Sequence, residues 1–177
     1  MQYHVLNLGA GVQSTALYLL AVEGKYRFDA AIFADTQDEP EAVYRHLDWL
    51  QRQPGPPIWI RTAGKLGDDL INGQNSRGGR FVSIPAFTKN EEGKVGLVRR
   101  QCTKEYKIEV CEKAIRRELL GLKPRKHVPK GTTVYQYFGI TTDEAARAER
   151  AKKRFEKVKW SKPVYPFLDM GWSRKDC

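Results

Sequence analysis

Two kinds of apolar pattern alternate along this chain. Short continuous runs read as buried strands, and longer stretches with apolar residues three or four apart read as amphipathic helices. Val5-Leu6-Asn7-Leu8 is a short run that breaks at Gly9-Ala10-Gly11 and resumes at Ser14 as a helix-favouring stretch to Val22. Residues 29–34 form a second buried run. Residues 39–51 place Ala42, Val43, Leu47 and Leu50 on one helical face, with Pro40 suited to the first turn. Gln53-Pro54-Gly55-Pro56-Pro57 is a rigid linker into a third strand, Ile58-Trp59-Ile60. Residues 62–72 hold a short helix with Leu66, Leu70 and Ile71 inward, followed by a glycine-rich loop carrying Arg77 and Arg80. Residues 83–87 look extended and residues 90–94 read as a turn. A helix over residues 104–120 buries Ile108, Cys111, Ile115 and Leu119, which makes Cys111 a core residue. Residues 132–139 are rich in β-formers, and a helix begins near Thr142. Strands alternating with helices predict an α/β chain: a Rossmann-like parallel sheet of about five strands, helices on both faces.

Candidate chemistry gathers where strands end. Strand, glycine turn and helix start aim backbone N–H groups and a helix N-terminus at an anion. The turn here is Gly9, Ala10, Gly11, Val12 and Gln13, with Ser14 and Thr15 able to cap the helix or offer hydroxyls to a phosphate oxygen. No lysine precedes Ser14, so the Walker pattern is absent. The dinucleotide fingerprint fits Gly9 and Gly11 but meets Ser14 at its third glycine; Asp35 supplies its downstream acid, which keeps an NAD-dependent oxidoreductase in play. At the end of its strand, Asp35 accepts from a ribose hydroxyl, holds Mg²⁺ or caps the next helix. Cys102 lies among Arg99, Arg100 and Lys104 at a helix start, the setting of a reactive thiolate or an iron–sulfur ligand, or else of a structural cysteine. Gly139 ends a strand and permits close approach of a ligand; Asp143 and Glu144 open the next helix, one turn before Arg147.

The turn also resembles the pyrophosphatase-type loop S-G-G-x-D-S, keeping its second glycine and its serine; Gly9, Ala10 and Gln13 stand in place of Ser, Gly and Asp. Phe33-Ala34-Asp35-Thr36-Gln37-Asp38-Glu39, Arg100-Gln101-Cys102-Thr103-Lys104, Gly139-Ile140-Thr141-Thr142-Asp143-Glu144 with Arg147, and the segment from Tyr165 to Cys177 resemble, in order, further motifs of one family. That family is the phosphoadenosine-phosphosulfate (PAPS) reductase-like group of the adenine-nucleotide alpha-hydrolase superfamily, in its GAGVQS-loop form found in phages and mobile elements. The resemblance implies a HUP-type domain over residues 1–177 that binds ATP or PAPS with Mg²⁺. It implies phosphates over Gly9 to Thr15, the pyrophosphate end facing Gly139, Asp143, Glu144 and Arg147, and ribose or adenine near residues 32–35. Arg100, Lys104 and Lys107 would then stabilise charge on the cleaved group, with Cys102 beside them. It implies either ATP cleavage at the alpha phosphate, adenylating an acceptor for sulfur transfer or nucleic-acid modification, or reduction of PAPS by a thiol. A nucleotide-binding module without turnover is a third reading, motivated by Gln13. Similar proteins carry further cysteines downstream, so Cys102 and Cys177 are candidate ligands of an iron–sulfur cluster. Ser173 reads as the cap of a helix inside which the chain stops, as in a shortened domain.

Composition adjusts this picture in two ways. The chain has 177 residues, 41% hydrophobic and 29% charged, so it has the means to bury a core. It has no long apolar run and no signal-peptide pattern, which predicts a cytoplasmic protein off the membrane. The three cysteines form no disulfide framework. The formal net charge is +10, which favours polyanions, a nucleotide or a nucleic acid. The basic residues concentrate in the loop of residues 121–131 and in the helix carrying Arg150, Lys152, Lys153, Arg154, Lys157 and Lys159, interleaved with Phe155 and Trp160. That surface is either a nucleic-acid site or a solvated face.

Overall fold

The computed structural model describes residues 1–75, 78–79, 87–97 and 102–177. Five parallel strands form the main sheet: β1 (Gln2–Leu8), β2 (Ala30–Asp35), β3 (Ile58–Thr62), β6 (Thr133–Phe138) and β7 (Ser161–Val164), in the order β3-β2-β1-β6-β7. Between β3 and β6 a separate antiparallel hairpin pairs β4 (Phe87–Lys89) with β5 (Val95–Leu97) across the expected turn at Asn90. The extended stretch expected at 83–86 lies outside the described residues, as do Arg77, Arg80, Arg99 and Arg100.

The helices are α1 (Val12–Val22), α2 (Glu41–Gln51), α3 (Leu66–Asn72), α4 (Glu109–Ala114), α5 (Ala145–Phe155) and α6 (Pro166–Asp169). Helix α4 continues at both ends into π-helical turns, Thr103–Ile108 and Ile115–Leu119, so one rod covers nearly all of the span read from the apolar stripe. A 3₁₀ turn, Thr142–Glu144, leads into α5.

Because side chains alternate across a strand, β1 feeds two cores. Leu6 and Leu8 join Leu17 of α1, Leu47 and Leu50 of α2 and Phe167 of α6 on one face. Val5 joins Ile32, Val110, Cys111, Ile115 and Val134 on the other, under α4. Cys111 is therefore core, as its spacing predicts. Ile71 is not: it is 84% exposed. Strand β7, which has no counterpart among the predicted elements, is held by main-chain pairing to β6 and by a polar chain, in which Asn7 donates to Gln136 (3.1 Å) and Gln136 donates to Ser161 (2.8 Å).

The order of the strands creates a switch point. From β1 the chain moves through α1 to β2 on one side, and from β6 it moves through α5 to β7 on the other. The carboxyl ends of β1 and β6 therefore diverge into two turns, Gly9–Gln13 and Gly139–Glu144, over a crevice of the kind that receives ligands in open parallel sheets. Gly139 sets how close those turns come. A Cβ there would lie 2.7 Å from the carbonyl carbon of Gln13 and 2.7 Å from the nitrogen of Ser14, both backbone atoms that cannot swing aside. At Gly11, φ is −95° and a Cβ would meet nothing within 4 Å. Gly139→Ala is expected to lower stability by about 1–3 kcal/mol in urea unfolding, whereas Gly11→Ala stays within roughly 0.5 kcal/mol of the parent. Equal midpoints for the two variants would show that the contact between the turns is not tight.

Candidate functional site

Helix α1 begins behind Gly11, and no side chain caps it. Its first-turn N–H groups have no intrahelical acceptors and present a partial positive charge at the mouth of the crevice. Ala10 turns the chain into this start with φ at 51°, a left-handed conformation that an alanine adopts only when its surroundings hold it there. Its side chain is one of the buried members of the α1 core.

The hydroxyls expected to face a phosphate are used inside the protein. Ser14 accepts from the N–H of Gly9 (3.1 Å) and donates to the carbonyl of Gly11 (3.2 Å), which braces the turn. Thr15 Oγ1 pairs with His46 Nε2 at 2.8 Å, joining α1 to α2. The cap is Gly11, not Ser14 or Thr15. Gln13 donates to Glu144 (3.2 Å), and Glu144 also pairs with Arg147 (3.1 Å). At Gly139 the missing side chain makes room for the first turn of α1.

Asp35 stands at the end of β2, where it accepts from the N–H of Gln37 (2.8 Å) and from the Tyr44 hydroxyl (2.9 Å). These bonds hold the turn in which Gln37 has φ of 58°. Asp143 accepts from the N–H of Arg174 (2.6 Å), while Thr142 donates through both N–H and hydroxyl to the carbonyl of Trp172. The tail thus docks on the turn after β6. Arg174 and Lys175 there line a cavity of about 580 Å³ with Val12, Gln13, Asp143 and Glu144.

A second cavity, of about 320 Å³, opens over the ends of β1, β2 and β6 beneath α5 and the Thr103–Ile108 turn. Ile32, Phe138, Ile140 and Phe155 give it apolar walls, and Gly9 joins it to the α1 turn. Among the described residues Lys107, Arg147 and Arg154 line it and no carboxylate does. Each of these cations leans on an acid outside the lining: Lys107 on Glu39 (3.2 Å), Arg147 on Glu144, Arg154 on Glu112. An apolar cavity whose charged lining among the described residues is cationic suits an anion with an aromatic body. A larger space of about 620 Å³ between β3 and α4 mixes Arg61, Lys113 and Arg117 with Glu109 and Glu118, and offers no such preference.

Of the residues read as catalytic, Lys107 alone lines this slot; Cys102 and Lys104 do not, and Arg100 lies outside the described residues. Lys104 reaches Glu109 at 3.9 Å. The slot's walls at Phe138, Ile140 and Phe155, and its cation Arg154, were not singled out for it by the pattern of the sequence. The signal for the first two is their place on either side of Gly139, at the end of a strand.

A cluster of iron and sulfur takes four thiolates. The chain has three cysteines, and the structure does not gather them. Cys102 precedes the rod that packs under one face, Cys177 packs against the α1 core on the other, and Cys111 is buried under α4. The Cys177 thiol is pushed up by burial and donates to the carbonyl of Ser173 (3.6 Å). The donor set does not fit the cluster. For Mg²⁺, no group of three or more His, Cys, Asp or Glu side chains is placed to hold a metal among the described residues. Asp35, Asp143 and Glu144 each accept hydrogen bonds from within the protein.

Comparison with family models, curated proteins and solved structures finds no match for this chain. Among the described residues no helix is long and apolar enough to cross a membrane.

Burial pushes the Cys111 thiol from 9.0 to about 12. The folded chain keeps that proton where the unfolded chain has lost it, so the thiol's contribution is whole below 9.0 and is lost as pH rises towards about 12. Between about pH 9 and about pH 10 it should withdraw roughly 1 kcal/mol. Urea midpoints of the parent should fall over that interval by more than those of Cys111→Ala. Parallel decline in the two proteins would mean that the thiol ionises freely in the fold.

Proposed function

We propose that this chain is an adenine-nucleotide-binding enzyme that cleaves ATP at the alpha phosphate and passes the adenylyl group to an acceptor. The observation that carries the reading is the slot beside the α1 turn: apolar walls and, among the described residues, three cations and no carboxylate, at the switch point of a parallel sheet. The base lies in the slot against Ile32, Phe138 and Ile140, and the phosphates reach past Gly9 to the uncapped start of α1. The order of motifs shared with the PAPS reductase-like group supports the same placement. Lys107 and Arg147, on opposite walls, stabilise charge on the group that leaves. Lysine contributes there as a point charge, and arginine as a fork matched to two oxygens.

Mg²⁺, carried in by the phosphates, would supply Lewis-acid polarisation; the chain's own part is to orient the alpha phosphate and exclude water with its apolar walls. The adenylation reading is favoured over PAPS reduction because reduction needs a reactive thiolate. Cys177 has its thiol pushed up by burial, packs against the α1 core and lines neither cavity.

Calorimetry with ATP and Mg²⁺ is expected to show one site, with Arg147→Ala weakening binding about tenfold, the loss of one charge-assisted contact. Products of turnover are expected to be pyrophosphate and the adenylated acceptor, with AMP in place of the latter where water takes the adenylyl group. Absence of binding would overturn the reading, and release of sulfite from PAPS without ATP turnover would replace it with the reductase.

A further inference from the structure

Charge is divided unevenly between the two faces of the sheet. Residues 1–75, which include α1 and α2, carry 6 Lys and Arg against 9 Asp and Glu; residues 103–165, which include α4 and α5, carry 17 against 8. Pairing is uneven too. Beside α1 and α2, Lys25 pairs with Glu23, Arg45 with Glu41 and Arg52 with Asp48. On and after α5, Arg150, Lys152, Lys153, Lys157 and Lys159 are exposed, and none has an ion-pair partner among the described residues. Like charges crowded on one helix repel, and that cost is relieved only by an external anion.

The crowd extends beyond the helix. Arg116 donates to the carbonyl of Lys126 and lies over the Trp160 ring at 5.9 Å. It thereby ties the basic loop of residues 121–131 to the turn that follows α5. Lys123, Arg125, Lys126 and Lys130 of that loop are exposed. A band of cations thus runs from the loop along the outside of α5. The helix has 11 residues, about 16 Å, which matches the rise of roughly five base pairs. The aromatic residues do not present stacking surfaces: Phe155 is buried edge-on to Phe138, and Trp160 packs on the core. The contact is therefore with phosphates rather than with bases. Glu149 and Glu156 interrupt the band without pairing across it.

We infer that this chain binds the phosphodiester backbone of nucleic acid, without regard to sequence, along α5 and the basic loop of residues 121–131. The band lies on the helix that roofs the proposed nucleotide slot, yet its residues lie outside the slot's lining, so the inference stands or falls separately from the nucleotide reading.

The test is fluorescence anisotropy of the whole chain with labelled single-stranded DNA, single-stranded RNA and duplex DNA of mixed sequence, at about 50 mM and about 200 mM salt. If about four phosphates are neutralised, affinity should fall roughly 50- to 150-fold over that range. The triple variant Lys152→Glu, Lys153→Glu, Lys157→Glu should abolish binding at the lower salt. The matched variant Lys25→Glu, Arg45→Glu, Arg52→Glu, on the other face, should bind like the parent. Thermal unfolding and ATP calorimetry on each variant separate loss of the band from loss of the fold or of the slot. RNA-only or DNA-only binding that the α5 variant removes supports the inference and names the polymer. No binding at the lower salt, equal loss in both variants, or binding only to vesicles of anionic lipid overturns it.

Discussion

The approach of two backbone turns governs this structure. Strand β6 is followed by Gly139, whose missing side chain lets the turn rest on the first turn of α1. That contact brings the ends of the two central strands together at the point where the chain reverses its direction across the sheet. The slot on one side and the tail-lined cavity on the other are what remains of the crevice around it. Gln13 and Glu144 add a side-chain bridge over the same junction, and Glu144 hands its second oxygen to Arg147. The position of a cation in the slot is thus linked, through one carboxylate, to the turn that would receive phosphates.

The site differs in kind from the one suggested by its hydroxyls and acids. Ser14, Thr15, Asp35 and Asp143 all act as internal braces. What faces the crevice is the main chain at the start of α1, with Lys107, Arg147 and Arg154 lining the slot beside it. Dipoles and charges held in place in this way need no rearrangement when an anion arrives. The bracing explains why a turn with a left-handed alanine can persist: Ser14 holds Gly9 and Gly11, and Ala10 is anchored in the core.

Much of the fold was legible because burial writes itself into spacing. The runs at Val5 and at Ala30 are buried on both faces, and the Ile108–Cys111–Ile115 stripe marks the rod above them. Strand β7 was not legible. It has four residues, one of them proline, lies at the sheet edge and is held by main-chain pairing and by Gln136, none of which leaves an apolar pattern. Ile71 misled because a helix of seven residues packs too little surface to bury every apolar side chain it carries. In the sequence, glycines and strand ends marked the two turns that the fold brings together at the switch point, but the hydrogen-bond partners of individual side chains did not follow. A hydroxyl near a turn can serve a ligand or the turn itself, and only the distances from Ser14 to Gly9 and Gly11 decide between them. Phe155 looked like a stacking residue from its basic neighbours, whereas its position on the helix turns it inward.

The central claim is that the start of α1 and the neighbouring slot receive one nucleotide together. Titration of ¹⁵N-labelled protein with a non-hydrolysable ATP analogue tests it most directly. The account predicts the largest amide shifts at Gly11, Val12, Gln13 and Ser14, with smaller ones at Ile32 to Ala34 and at Ile140. Shifts concentrated at the opposite end of the sheet, around His4, Tyr26 and Asp29, or none at all, would contradict it.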